Sequence, residues 1–308
     1  MTTEFLVLTR AIHFAACLLF FGICAFDQLI AAPILASHKI EAANFWKSRI
    51  RNFSLILLPL ILISGIGWFV LVAMTMSGQP PHFEILRTVW QQTQFGMVWK
   101  IRLIIWLAAT VAAMIFCLPK LQPSLRKKLI WLELLFGGAL LASLAWAGHG
   151  QEDSHWHLFA DLLHLLVAGL WPTGLLPFAL LLRKLRRTSE PAIAPLVRRF
   201  STMSLVSVSL LAATGLVNSW FLVGSFSNLF SQTYGRWLVA KITLFCLAVT
   251  IGAVNLLRLK PRLSLKNLQS GSTQAAAQLQ CNVHIELFLG MAIVIVVAVL
   301  GILPPANH

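Results

Sequence analysis

Eight runs of roughly 20 apolar residues constrain this chain more than any other feature, because each is long enough to cross the hydrocarbon core of a bilayer. They lie at about 5–32, 53–76, 95–118, 129–148, 157–182, 200–223, 236–257 and 284–303 of the 308 residues. Inside lipid a backbone N–H or C=O finds no water, so each run must satisfy its own hydrogen bonds as a helix. The sequence therefore predicts an all-α fold, a polytopic membrane bundle of eight transmembrane helices. Composition agrees: 58% of residues are hydrophobic and 11% are charged, against about 25% charged in soluble domains. A net charge of +14 would suggest nucleic acid if the basic residues gathered on one soluble face. Here they punctuate the apolar runs, which argues against nucleic acid and makes the lipid bilayer the first partner.

The same basic residues orient the bundle. Connections between spans one and two, three and four, five and six, and seven and eight hold 18 of the 24 lysines and arginines, among them Lys47, Arg49, Lys127, Arg186, Arg199 and Arg258. Loops rich in Lys and Arg stay in the cytoplasm, so both termini are expected on the opposite face. The N-terminal stretch carries Glu4 and, as its one basic residue, Arg10. That lacks the basic start and small-residue cleavage site of a signal peptide, and the first run is expected to be retained. Five cysteines without a CxxC pair give no disulfide framework.

Laying residues 1–148 over 149–308 brings out a weak internal repeat of four spans each. His13 falls on His164, Gly65 on Gly215, Gly96 with Arg102 on Gly235 with Lys241, and Glu133 on Glu286, most of them about 150 residues apart. Four spans per unit keep the orientation, which predicts two parallel repeats of a kind known among transporters.

Chemistry concentrates where the fourth span ends and the fifth begins. The segment Gly148–His164, GHGQEDSHWHLFADLLH, holds four histidines and three carboxylates. Imidazole is a ligand for copper and other transition metals, and ionisable groups inside a bilayer are rare without a function. His157, Asp161 and His164 stand at i, i+4 and i+7, on one helical face. His149 and His155 lie just outside it, and Asp161 can instead orient a histidine ring, as carboxylates do at metal sites. His13 lies at a comparable depth in the first span, so the two histidines are expected to flank a central axis. His13, Cys17, Cys24 and Asp27 follow one face of span one, a soft ladder suited to monovalent copper, although cysteine also packs as a small apolar residue. Met97 near the outer end of span three is a further thioether. Arg102 and Lys241 can snorkel to the headgroups, Glu133 and Glu286 are expected to pair with basic residues or line an exit, and Asn218 and Asn255 to bridge helices. Trp46 is expected in the interfacial belt.

Several of these residues resemble the copper resistance protein D family of bacterial inner membranes. The resemblance is carried by Gly148-His149, by His157-Leu-Phe-Ala-Asp161-Leu-Leu-His164 with Gly169 and Trp171, by Arg199-Phe-Ser201, by Thr214-Gly-Leu-Val-Asn218, by Thr233-Tyr-Gly235 with Lys241, and by Glu286 with Pro304-Pro305. It is dense in the second half, strongest over 199–305, and loose in the first. Pro172-Thr173 departs from it, standing where a glycine-rich turn is expected. The resemblance implies a copper ion, Cu+ or Cu2+, as cargo, a periplasmic location for both termini, and a small periplasmic copper-binding protein as partner. Copper would be captured by His149, His157 and Asp161 and passed to His164 and His13, into or across the inner membrane. No Walker motif is present, so the chain is expected to be no ATPase and no enzyme. Two rival readings stand beside this one: a haem-binding electron-transfer protein using paired histidines, and a non-conducting scaffold for a periplasmic copper carrier.

Overall fold

In the computed structural model, which describes residues 2–37, 42–118, 120–147, 155–188, 190–262 and 272–306, each long apolar run is helical. The helices are α1 (Thr2–Phe26), α2 (Ala32–Ser37), α3 (Ala42–Ser77), α4 (Phe83–Gln92), α5 (Gln94–Phe116) and α6 (Pro123–Ala142). They continue with α7 (His155–Thr188), α8 (Ile193–Val223), α9 (Asn228–Ser231), α10 (Thr233–Val254), α11 (Lys260–Arg262) and α12 (Ser272–Leu300). A π turn at Asp27–Ala31 joins α1 to α2, and another at Asn255–Leu259 joins α10 to α11. Eight stretches are long and apolar enough to cross a membrane, from Thr3–Ser37 to Ala277–Leu300, in agreement with the eight runs of the sequence. Several helices outlast their apolar run. With 36 residues, α3 measures about 54 Å at 1.5 Å per residue, well beyond a hydrocarbon core of about 30 Å, and its first turns carry Lys47, Arg49 and Arg51 out of that layer.

Two helices form the centre. In the spans built on α1 and α7, 78% and 61% of the apolar window is buried, against 11–44% in the other six. Around them α1 touches α3, α6, α7 and α12, while α7 touches α8, α6 and α12. The central pair can approach closely because Gly22 has no side chain: a Cβ there would lie 2.4 Å from the Gly169 carbonyl oxygen and 2.0 Å from Thr173 Oγ1. Small residues at such crossings are the usual means by which membrane helices gain packing without a hydrophobic drive.

Pro172 and Pro177 both lie inside α7, and the helix runs through them from His155 to Thr188. Where the resemblance leads one to expect a glycine-rich turn, the helix continues. Pro172 withholds one N–H from the ladder, and in the same turn Thr173 Oγ1 donates to the Gly169 carbonyl.

Replacing Gly22 by Leu should lower the melting temperature of the detergent-purified protein clearly, since overpacking a close-packed site costs about 1–3 kcal/mol or more. Gly252→Ala, where a Cβ would meet nothing closer than 3.6 Å, should melt like the parent. Equal melting of the two variants would show that the crossing is not tightly packed.

Candidate functional site

The face of α7 anticipated from its spacing lines a cavity of 260 Å³ between α1, α7, α8, α10 and α12, and His157, Asp161 and His164 all stand on its wall. His157, 2% exposed, lies flat on Phe221 with ring centres 4.9 Å apart and planes 8° from parallel. One turn deeper, Asp161 Oδ1 accepts from Asn218 Nδ2 at 3.2 Å. His164 is fixed more firmly. Its Nδ1 is 2.9 Å from Thr214 Oγ1, whose own hydrogen goes to the Leu210 carbonyl at 2.7 Å. The hydroxyl therefore accepts, Nδ1 carries the proton, and Nε2 keeps its lone pair. This is the arrangement in which a histidine ligates a metal, with one nitrogen oriented by a donor contact and the other open. Half-buried Lys241 and buried Tyr234 from α10, and Phe14 and Leu18 from α1, share the wall.

His13 repeats this geometry and then closes it. Its Nδ1 is 3.1 Å from Ser64 Oγ, and Ser64 donates to the Leu60 carbonyl at 2.6 Å, which again leaves the lone pair on Nε2. That lone pair is taken by Arg102, whose Nη2 donates at 2.6 Å. The same guanidinium reaches the Leu140 carbonyl at 2.7 Å and Ser143 Oγ through Nη1, and lies 3.7 Å from Cys17 Sγ. Trp68 and Trp99 cover the imidazole with ring centres 5.5 Å away. The cavity wall includes His164 and not His13, so the two histidines do not face one another across a shared axis. Arg102, 2% exposed, does not snorkel, because three buried acceptors inside the first half hold it more strongly than the headgroups could.

The other expected residues scatter. His149 lies outside the described residues. His155 is exposed at the start of α7, and Met97 is exposed on α5. Cys17 sits 3.7 Å from His13 Nε2, while Cys24, two turns away, lies 4.0 Å from Glu133 Oε2. Among the described residues no three His, Cys, Asp or Glu side chains converge as a metal cage. Glu133 accepts from Ser54, and Glu286 from Asn255, which in turn accepts from Asn282. Their partners in the structure are thus neutral, where basic ones were expected. Trp46, expected in the interface, is buried and donates to Asp27 Oδ1 at 2.7 Å. Sequence reasoning missed Ser64 and, although it named Thr214 in the family resemblance, gave it no role beside His164; each immediately precedes one of the matched glycines, Gly65 and Gly215. It also missed the inward turn of Arg102.

Arg102→Met would leave the Leu140 carbonyl, Ser143 and His13 Nε2 without their donor, at about 1–3 kcal/mol for each buried group left unsatisfied. Thermal unfolding in detergent should show a large drop for this variant and a smaller one for Arg102→Lys. An unchanged melting temperature in Arg102→Met would refute the clamp.

Comparison with known protein families and curated proteins bears on what this cavity serves. Residues 1–158 match the model of the copper resistance protein D-like N-terminal domain, and residues 194–300 match that of copper resistance protein D. Copper resistance protein D of Pseudomonas syringae pv. tomato is 33% identical over 258 residues, covering 79% of this chain and 80% of its own. Copper transport protein CutJ of Bacillus subtilis (strain 168) is 32% identical over 174 residues, 56% of this chain and 30% of that protein. The match thus spans less than a third of the Bacillus protein. Matched by family models on both halves and by a relative across most of both chains, this eight-helix membrane protein belongs to the copper resistance protein D family.

Proposed function

We propose that the chain accepts copper at the periplasmic face of the inner membrane and moves it into or across the bilayer without hydrolysing ATP. The observation that carries this reading is His164: an imidazole held by Thr214 with Nε2 open on a cavity that also displays Asp161 and His157. Imidazole nitrogen suits copper in either common oxidation state. The ligands follow one another along α7 instead of closing into a cage, which fits a carrier: a transported ion must be bound well enough to enter and loosely enough to leave. Exposed His155 extends the stripe toward water. His13 is left out of the ligand set, since Ser64 and Arg102 engage both of its nitrogens. Cys17, Cys24 and Met97 have no part in it either.

The orientation follows from the 18 basic residues in the four connections, which put both termini in the periplasm. Two parallel four-helix repeats, residues 1–148 and 149–308, explain why a histidine bonded to a hydroxyl on the next span recurs 50 or 51 residues apart in each half. A small periplasmic copper-binding protein would deliver the ion to the cavity at the His155 end of α7. The haem reading finds no support: the family is a copper family, and a cavity of 260 Å³ is smaller than the roughly 300–1,000 Å³ of ordinary small-molecule sites.

Metal analysis of the purified protein should find copper bound. His164→Ala should weaken it by tenfold or more, Asp161→Asn by a smaller factor, and whole-cell copper accumulation should change in step. His13→Ala should keep the bound copper. Full copper binding and unaltered accumulation in His164→Ala would end this proposal, and a sharp Soret band would revive haem.

A further inference from the structure

The cavity is electrically unbalanced in the wrong sense for a cation. Arg10 from α1 and Lys241 from α10 contribute two positive charges to its wall, and Asp161 contributes the one negative charge. Counting the histidines as neutral, a copper ion arriving alone would enter a pocket that already carries an excess positive charge.

Arg10 makes the imbalance specific. It is 8% exposed, and its Nε meets no hydrogen-bond acceptor among the described residues. The guanidinium lies 4.8 Å from the centre of the Trp68 ring and 5.7 Å from that of Phe14. It also packs so closely on Gly301 that a Cβ there would collide with it. Aromatic faces moderate a buried positive charge but accept none of the five N–H donors in the way an anion would. Lys241 brings three further donors to the same wall. Asp161 supplies a single negative charge against these two cations, and it also accepts from Asn218 through Oδ1. A cavity with an under-satisfied, buried guanidinium and an ammonium on its wall is a site for a small anion, since unpaired buried charge is costly and an anion relieves it.

We propose that the cavity holds a small monovalent anion, a halide or a carboxylate, against the Arg10 guanidinium, with Lys241 adding positive charge to the same wall, and that copper occupies the histidine face as its charge-compensating partner. The second part rests on the copper reading above; the anion site stands on Arg10 and Lys241 alone. The pairing makes physical sense for passage through lipid: Cu+ together with one chloride has no net charge, and a neutral pair meets a far smaller desolvation penalty than a bare ion.

The test is equilibrium binding of radiolabelled chloride to the full-length, metal-free protein in detergent, with bromide and acetate as competitors. Saturable binding is expected, with bromide and acetate displacing chloride to different extents and so separating halide from carboxylate preference. Arg10→Gln and Lys241→Met should each weaken it tenfold or more, and Arg10→Lys should retain part of it. Should Arg10→Gln fail to fold, Lys241→Met decides. Copper binding to the parent protein is then measured in chloride and in nitrate. Chloride that fails to bind saturably, or that binds unchanged in Lys241→Met and any folded Arg10→Gln, overturns the anion site while leaving the copper reading intact. Chloride bound without any copper uptake overturns the copper reading and leaves the anion site. Copper bound equally well in both salts overturns the pairing.

Discussion

Everything else in this bundle is built on the contact of two central helices at Gly22, Gly169 and Thr173. In lipid there is no hydrophobic gain from pressing one apolar helix on another, so proximity must come from shape. Removing one side chain at Gly22 lets α1 settle against the backbone of α7. That sets the distance between the first four spans and the second four, and so the width of the cavity between them. The outer helices then have two fixed rods to lean on, which is why the central pair is mostly buried while α8 and α10 keep most of their surface toward the surroundings.

The two halves use similar parts to opposite ends. Each places a histidine at similar depth and bonds its Nδ1 to a hydroxyl on the following span, so that Nε2 points its lone pair away from that span. In the first half Arg102 fills the lone pair and ties α1, α5 and α6 into one polar knot under two tryptophans. Beside His164 the wall carries Lys241, and room remains. An internal guanidinium thus closes the space beside His13, while a cavity stays open beside His164.

Much of the fold could be read directly from the chain, because lipid removes choice: an apolar run of 20 residues must be a helix, and eight such runs appeared where eight were expected. The stripe His157, Asp161, His164 was equally legible, since helical spacing fixes which residues share a face. What could not be read was contact across helices. The side chain of Arg102 could have reached headgroups or acceptors, and only the positions of Leu140 on α6 and Ser143 just past its end decide for the acceptors. Trp46 was misplaced for the same reason, as its partner Asp27 lies on a different span. Pro172-Thr173 stood where the resemblance led to a glycine-rich turn, and the helix runs through it, because the neighbouring helices of a bundle keep a proline-containing turn in line.

The π turns at Asp27–Ala31 and Asn255–Leu259 bear on how such a protein can change over generations. Each amounts to one extra residue in a helix, and each begins at the polar residue it sets inward: Asp27 against Trp46, Asn255 against Glu286. Losing a single codon there would restore a regular helix, leave the remainder of the span in register, and remove or displace the polar residue that the wide turn sets inward. A buried polar contact near the far end of the bundle is thus one deletion away from disappearing, while the eight-helix frame stays as it is.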